Sequence, residues 1–540
     1  MAFAERRSGS ERFENVDVKV PASRQRRLIA GIILLLAVAG LAVRIFDFQR
    51  NFSLFTDECS ICMNVLDRSI WGLTKTLEYD QAAPFGFLVL QKAVFGVFGV
   101  SDMITRIVPL AFALATVPLS ILVAKRIFSS SASAVALVLS IALICLDRDL
   151  VYYASIAKQY TEECFVTLVL VYILARPLLE TGEAVKTFRW PDWFLRNSRK
   201  TGTGSSVPPE ELVGSPPVWW HAAVPFALVV FSPFLVWFSY GAVFILAGFG
   251  LALVGRAFVE KDRQRRLVTG CFCLCLLLNL VIFFALSARP AMANQWLANW
   301  WQAAYMPMWP PARTVRWLSA TFLDLGQTVI HTHLSLLLPL GLVATSVYAI
   351  WRRSWIWLAC LFSVLVCLAA SALGKYPFGD RLVLFLLPIM ALMLAKSVDL
   401  LSRKWRTASL VVAAIILAGT ATRLVRGMTH RLPIDDVRKV HRRMVAEFAP
   451  GDDLWVAPIS QPCFRYYARD YPLPPNVSVH FLRRTEAPAT LPSGRHWLLV
   501  IRFAKAAPLG QKLLDDFSRL GQQKESFDAD WTTARLIVVP

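Results

Sequence analysis

The chain has 540 residues, of which 56% are hydrophobic and 17% charged, with a formal net charge of +20. So few charges, against roughly 25% in an ordinary soluble domain, exclude a water-exposed globular fold for most of its length. The basic excess first suggests nucleic acid, but Lys and Arg sit in short segments between apolar runs, where they set topology, so no nucleic-acid partner is expected.

In chain order, residues 1–27 are polar, carry mixed charge and read as a cytoplasmic tail. Apolar runs long enough to cross a bilayer then recur, at 28–46, 107–124, 132–147, 162–178, 218–235, 238–255, 267–287, 328–350, 354–373, 381–400 and 407–424. The expected fold class is a polytopic α-helical membrane protein of about eleven transmembrane helices, with a small extracytoplasmic α/β domain at the C-terminus. Ala37-Val38-Ala39 imitates a signal cleavage site, but the charged lead is long and the apolar run continues, so an uncleaved anchor is expected. Residues 84–99 are apolar yet short, and they carry Lys92 and three glycines. Counting them as a span would put the later basic loops on the wrong face, so they read as a helix lying in the outer interface. Basic residues cluster at 1–27, Lys125-Arg126, 176–217, 256–266, Arg352-Arg353 and 403–406, which places the N-terminus inside and the C-terminus outside.

Two outer loops, 47–106 and 288–327, are long enough to carry function. The second is rich in Trp and Tyr (Trp296, Trp300, Trp301, Tyr305, Trp309), which suits an interfacial belt or a cover that contacts sugar or lipid. Segment 180–217 reads as a flexible cytoplasmic loop. From 426 to 540 the pattern changes: DLWVAP, NVSVHF and RHWLLVIRF read as strands, and 435–448 and 508–520 as helices.

Three charged segments return to the outer face. Asp57 and Glu58 follow the first span, Lys158-Gln159-Tyr160-Thr161-Glu162-Glu163 joins the third to the fourth, and Tyr376 to Arg381 precedes the tenth. Acidic groups so near hydrocarbon are costly unless they face water, metal or substrate. Bland readings stand beside this one: Asp57 and Glu58 as a helix cap, Lys158 paired with Glu162 one turn on, Arg381 bonded to Asp380 or to headgroups. Cys59 and Cys62 form a C-x-x-C that suits redox chemistry or a disulfide only weakly. His331 and His333 at the start of the eighth span read as structural before metal-binding.

These motifs, in their order, resemble those of the GT-C membrane glycosyltransferases, the branch of protein O-mannosyltransferases, aminoarabinose transferases and bacterial lipopolysaccharide-sugar transferases. The likeness covers most of 28–425. It lies in the acidic pair, the stretch from Pro84 to Gly99, Arg106 opening the second span, the KQY-x-E segment and the run from Tyr376 to Pro388. The resemblance implies transfer of a sugar from a polyprenyl-phosphate carrier to a lipid-glycan or protein acceptor, at the outer face of a bacterial inner membrane and among membrane lipids. It assigns the catalytic carboxylate to Asp57, supported by Glu58. Lys158, Gln159, Tyr160, Glu162, Tyr376 and Arg381 are then candidates for binding substrate. No cofactor is certain; a divalent metal on Glu58 and Glu162 is the open possibility. Ala82-Ala83 replace the Glu-Lys pair that aminoarabinose transferases carry before the interfacial proline, which weakens a metal site of that kind and a lipid A aminoarabinose assignment. The competing readings are a flippase for lipid-linked sugars and a non-catalytic assembly subunit. A transporter would place its ionisable residues nearer the midplane.

Overall fold

The computed structural model describes residues 22–128, 134–179, 220–260, 263–330, 334–430, 436–502 and 507–540. Most of the expected tail, the loop at 180–217, and His331 and His333 lie outside the described residues. The first helix, α1 (Ala22–Gln49), begins inside the segment read as tail. The loop after it folds into α2 (Thr56–Asp67), α3 (Phe85–Phe98) and the single turn α4 (Asp102–Thr105). Next come α5 (Ile107–Ile127), α6 (Ala134–Cys145), the short α7 (Arg148–Tyr153), α8 (Tyr160–Ala175), α9 (Trp220–Phe231), α10 (Ala242–Glu260) and α11 (Arg263–Phe283). The second long loop holds α12 (Arg289–Met292), α13 (Gln295–Trp300) and α14 (Pro311–Val329). The bundle closes with α15 (Leu337–Arg352), α16 (Trp355–Ala372), α17 (Leu387–Ser402) and α18 (Arg406–Thr429).

Among the described residues, seven helical stretches are long and apolar enough to cross a membrane. They are Arg24–Gln49, Ile107–Ile127, Ala242–Val259, Arg265–Met292, Trp355–Ala372, Asp380–Ser402 and Arg406–Thr429. The chain is a polytopic helical membrane protein. Helix α3 has 14 residues, so it spans about 21 Å at 1.5 Å per residue and falls short of a bilayer core. It buries Phe87, Leu88, Gln91 and Phe95 and exposes Val97 and Phe98. The eighth apolar run is shorter than the sequence suggests, since its first residues end α14 and its helix starts only at Leu337.

The centre of the bundle is α17, where Leu387 to Ala395 are all buried; a helix with neighbours on every side can be apolar all round. Helices α10 and α16 meet closely at Gly248, where a Cβ would collide with the backbone nitrogen of Ser363. Small residues allow that approach in the absence of a hydrophobic drive between helices in lipid.

Residues 436–540 form a five-stranded sheet with three helices. The order α19 (Val437–Glu447), β1 (Asp453–Val456), α20 (Gln461–Tyr467), β2 (Ser478–Phe481), β3 (Gly494–Ile501), α21 (Ala507–Ser518), β4 (Gln522–Ala529), β5 (Thr532–Val539) gives a spatial order β2-β1-β3-β5-β4. Strands β2, β1 and β3 are parallel, and β3, β5 and β4 antiparallel. Helix α19 buries Val437, Val440, His441 and Met444 at helical spacing. Strands β4 and β5 and helix α20 are not anticipated by the sequence reading. Strand β4, QQKESFDA, is polar because it is an edge strand with one free side. The sheet unit meets the bundle through α20, whose Cys463, Tyr466 and Tyr467 share one buried cluster with Leu54, Cys59 and Cys62 of the first loop.

Candidate functional site

The site begins with the first turn of α2. Asp57 and Glu58 are adjacent, and acidic residues suit a helix N-terminus. Glu58 is fully buried and committed on every side. Its Oε2 accepts the Phe55 amide at 3.2 Å, closing the turn. Arg106 forks onto it, Nε to Oε1 at 2.8 Å and one terminal nitrogen to Oε2 at 2.7 Å. The Ala157 amide donates to Oε1 at 2.7 Å. One carboxylate thus pins three segments, and the residue after Ala157 is Lys158.

Asp57 faces the other way. Its Oδ2 receives Arg381 at 2.9 Å and stands 4.0 Å from the Lys158 ammonium. Gln81 donates to Oδ1 at 3.5 Å and accepts from Lys158, bridging acid and base. The side chains of Asp57 and Arg381 keep 18% and 26% of their surface, so the pair is reachable, whereas Lys158 keeps 5%. The Arg381 guanidinium lies 5.6 Å from the Trp301 ring centre and 6.0 Å from that of Tyr160. Both rings lie within cation-π range of the guanidinium.

Burial alone would push the Asp57 carboxyl up. The Lys158 and Arg381 cations and the bonds from Gln81 and Arg381 outweigh it and hold the group below the usual carboxylate range. Lys158 is brought down to about 8, chiefly by burial and also by Arg381, against the pull of Asp57. Asp57 is therefore an anion at neutral pH and Lys158 a cation that loses its charge just above it.

Backbone strain aims two of these side chains. Tyr79 and Asp80, with φ of 58° and 54°, precede Gln81, and Asp380, with φ of 49°, precedes Arg381. None is glycine, so each left-handed residue costs on the order of 1 kcal/mol or more. Asn294 anchors the first turn by donating to Asp80 at 3.2 Å. The aromatic segment is tied above the site where Phe378 donates to the Ala304 carbonyl at 2.8 Å and Met306 to the Ser371 hydroxyl at 2.9 Å. Trp301 faces Arg381 while Trp296 and Trp309 are exposed.

The structure brings Asp57, Lys158, Tyr160 and Arg381 together and sets other candidates apart. Glu58 frames the site; it has no oxygen left for a metal, so a divalent site on Glu58 and Glu162 does not fit. Among the described residues no group of three His, Cys, Asp or Glu side chains is placed to hold a metal ion. Glu162 is fully buried, and neither of its carboxylate oxygens has a hydrogen-bond partner among the described residues. The expected pairing of Lys158 with Glu162 is replaced by Gln81 and Asp57. Glu163 accepts the Tyr240 amide at 3.3 Å. Gln159 is buried with its side-chain carbonyl unpartnered among the described residues. Tyr376 gives its hydroxyl to the Leu382 carbonyl at 2.8 Å and packs on Phe244 and Phe385, which occupies it within its own loop. Arg381 pairs with Asp57 and not with Asp380. Cys59 and Cys62 are free thiols, fully buried, and burial pushes both up in pKa, which fits packing and not redox chemistry.

Gln81 and the framing role of Arg106 escaped the sequence reading. The signal for Gln81 is faint: a Tyr-Asp-Gln turn before Ala82-Ala83-Pro84 in a loop of no regular period.

No protein-family model matches this chain, and no curated protein does. Solved structures are similar to it. ArnT from Cupriavidus metallidurans in the apo state is 10% identical with a TM-score of 0.49, the match covering 96% of this chain and 98% of that one. ArnT from the same organism bound to undecaprenyl phosphate is 12% identical, with a TM-score of 0.48 and coverage of 95% and 98%. The oligosaccharyltransferase of Archaeoglobus fulgidus, in complex with Zn and sulfate, is 15% identical with a TM-score of 0.49, over 82% of this chain and 57% of that one.

Proposed function

We propose that this chain is an integral membrane glycosyltransferase of the GT-C type, with eleven transmembrane helices at 28–425 and an extracytoplasmic domain at 426–540. It moves a sugar from a polyprenyl-phosphate carrier to an acceptor hydroxyl on a lipid glycan or protein outside a bacterial inner membrane, with its N-terminus cytoplasmic. The observation that carries this reading is Asp57, a reachable carboxylate held between Arg381 at 2.9 Å and Lys158 at 4.0 Å. The order of the motifs from Asp57 to Pro388 supports it.

The chemistry follows from those charges. The acceptor hydroxyl attacks the anomeric carbon and passes its proton to Asp57. The bond from that carbon to the carrier phosphate breaks, and its electron pair leaves with the phosphate. Arg381 and Lys158 receive the growing negative charge; Arg offers two parallel donors and Lys a point charge. A phosphate approaching these cations competes with Asp57 for them, so donor binding frees an Asp57 oxygen for the acceptor. Gln81 keeps acid and ammonium in register during that exchange. Glu58 and Arg106 take no part in proton transfer and hold the loop.

Transfer of label from polyprenyl-phosphate sugars to membrane acceptors, by purified protein in lipid, tests the reading. Transfer is expected from the native chain and is expected to disappear in a correctly folded Asp57→Asn protein. Full transfer by that variant removes Asp57 as base, and no transfer or carrier hydrolysis across a broad panel removes the glycosyltransferase reading.

A further inference from the structure

The sheet unit at 436–540 reaches into the first loop with one fully buried side chain, Tyr467. Its hydroxyl accepts the Leu54 amide at 2.7 Å and gives its proton to Asp102 at 3.0 Å. Ser53 lies 3.1 Å from the same oxygen and itself accepts the Arg438 amide at 3.1 Å. Arg438 completes the latch, donating to Asp102 at 2.9 Å and to the Asn51 carbonyl at 2.9 Å. Beside it, the Tyr466 hydroxyl lies 3.3 Å from that of Thr105.

The groups so gripped are those that set Asp57. Leu54 lies three residues before it. Asp102 opens the turn that ends at Arg106, and Arg106 holds both Glu58 and the carbonyls of Phe52 and Ser53, at 2.7 and 3.2 Å. From the sheet unit, Tyr467 and Arg438 therefore touch one side of a frame whose other side carries Asp57 and Lys158. Buried networks of this kind hold a single arrangement when every member is satisfied, and here the hydroxyl donates once and accepts at its oxygen.

We infer that Tyr467, with Arg438, is a positioning residue for the Asp57 centre, so that the C-terminal sheet unit is a working part of the site and not an appendage. The inference rests on the glycosyltransferase reading for its activity arm, though the mechanical arm stands without it. A bare packing role would need only the Tyr467 ring, which phenylalanine supplies. A positioning role needs the hydroxyl.

The test compares native chain, Tyr467→Phe and Arg438→Gln, each full length in lipid. Amide hydrogen exchange is followed across residues 54–60, together with transfer from the donor against pH. Tyr467→Phe is expected to raise exchange at 54–60 and lower kcat about tenfold, with KM for donor within about twofold, since small misplacement of reacting groups is costly. The acid limb of its pH profile moves up, because an Asp57 that drifts from Lys158 and Arg381 loses the cations that keep its carboxyl low. Arg438→Gln gives the same pattern more weakly, and it carries the test if Tyr467→Phe does not fold. Native exchange at 54–60 in both variants overturns the inference, as does raised exchange with unchanged kcat and unchanged acid limb. If the native chain transfers nothing, the function fails alone, and exchange at 54–60 still decides whether the latch holds the loop.

Discussion

Asp57 and Asp399 are both ion-paired aspartates, one held by Arg381 at the start of the helical stretch Asp380–Ser402 and the other lying near its end, paired with Lys396. They are built in opposite ways. Asp399 takes Lys396 at 2.7 Å, three residues away on α17, with Arg403 at 3.8 Å one turn on. Its side chain keeps 2% of its surface, and the ammonium also lies 4.8 Å from the Tyr348 ring centre. Asp57 takes its cations from two distant loops, one 324 residues away, and keeps 18% of its surface. A local, closed pair satisfies a buried charge at little cost in chain ordering. A pair drawn from separate segments needs a frame to hold it, and the proposed chemistry at the open face gives that cost a purpose.

The comparison breaks first at the frame. Arg106→Ala leaves Glu58 buried without its partner, and a loss of about 3–5 kcal/mol is expected. It is read as a lower melting temperature and poor recovery of folded protein; unchanged melting would mean that Glu58 does not depend on the fork. Next comes the anion-binding side. In the proposed reaction Arg381→Gln removes one fixed donor to the leaving phosphate, and kcat should fall by about 10²–10³ with folding preserved. Retention of kcat there would dissociate Arg381 from the reaction.

Gln81→Leu cuts the bridge between Asp57 and Lys158, and about a tenfold fall in kcat is expected, without a change in melting temperature. The pH profile sharpens the same point. The Asp57 carboxyl is held below its ordinary value, so the working carboxylate is complete at neutral pH and lost only as pH falls through that lowered value. Lys158 sits at about 8, so transfer should decline as pH rises through that region while the ammonium discharges. In Lys158→Gln the alkaline decline should vanish and the acid limb should move to higher pH. A flat profile between pH 7 and 9 in the native chain would exclude Lys158 as a required cation. The smallest effect belongs to the closed pair. Replacing both members, Lys396→Met with Asp399→Leu, should leave transfer within about twofold and stability near native, since an apolar substitute of similar volume can replace a buried ion pair.

Much of the scaffold was legible in advance. The apolar runs place most of the helices to within a few residues, because a segment in lipid must satisfy its own backbone and only a helix does so. The short α3 and the strands β1, β2 and β3 lie where length and alternation put them. The helix of the eighth apolar run starts late, where Gly326 near the end of α14 packs against the Ser335 backbone, a contact that hydropathy does not encode. Strand β4 stayed hidden because an edge strand needs no apolar face. At the site, Asp57, Lys158 and Arg381 stood out as charges at the ends of apolar runs. Gln81 did not, being uncharged and in an irregular loop, and Tyr467 is one aromatic among many.

The sequence by itself determined that this is a bundle of membrane helices with charged segments gathered at its ends, since hydrophobic length and the position of charge act locally along the chain. The choice of Asp57 over Glu58 came from the family resemblance and not from the pattern of the pair itself. Neighbours on a helix point about 100° apart. What each meets depends on segments that arrive from far away: Arg106 and Ala157, 48 and 99 residues on from Glu58, and Arg381, 324 residues on from Asp57. Tertiary packing made one carboxylate a buried strut and left the other open between two cations.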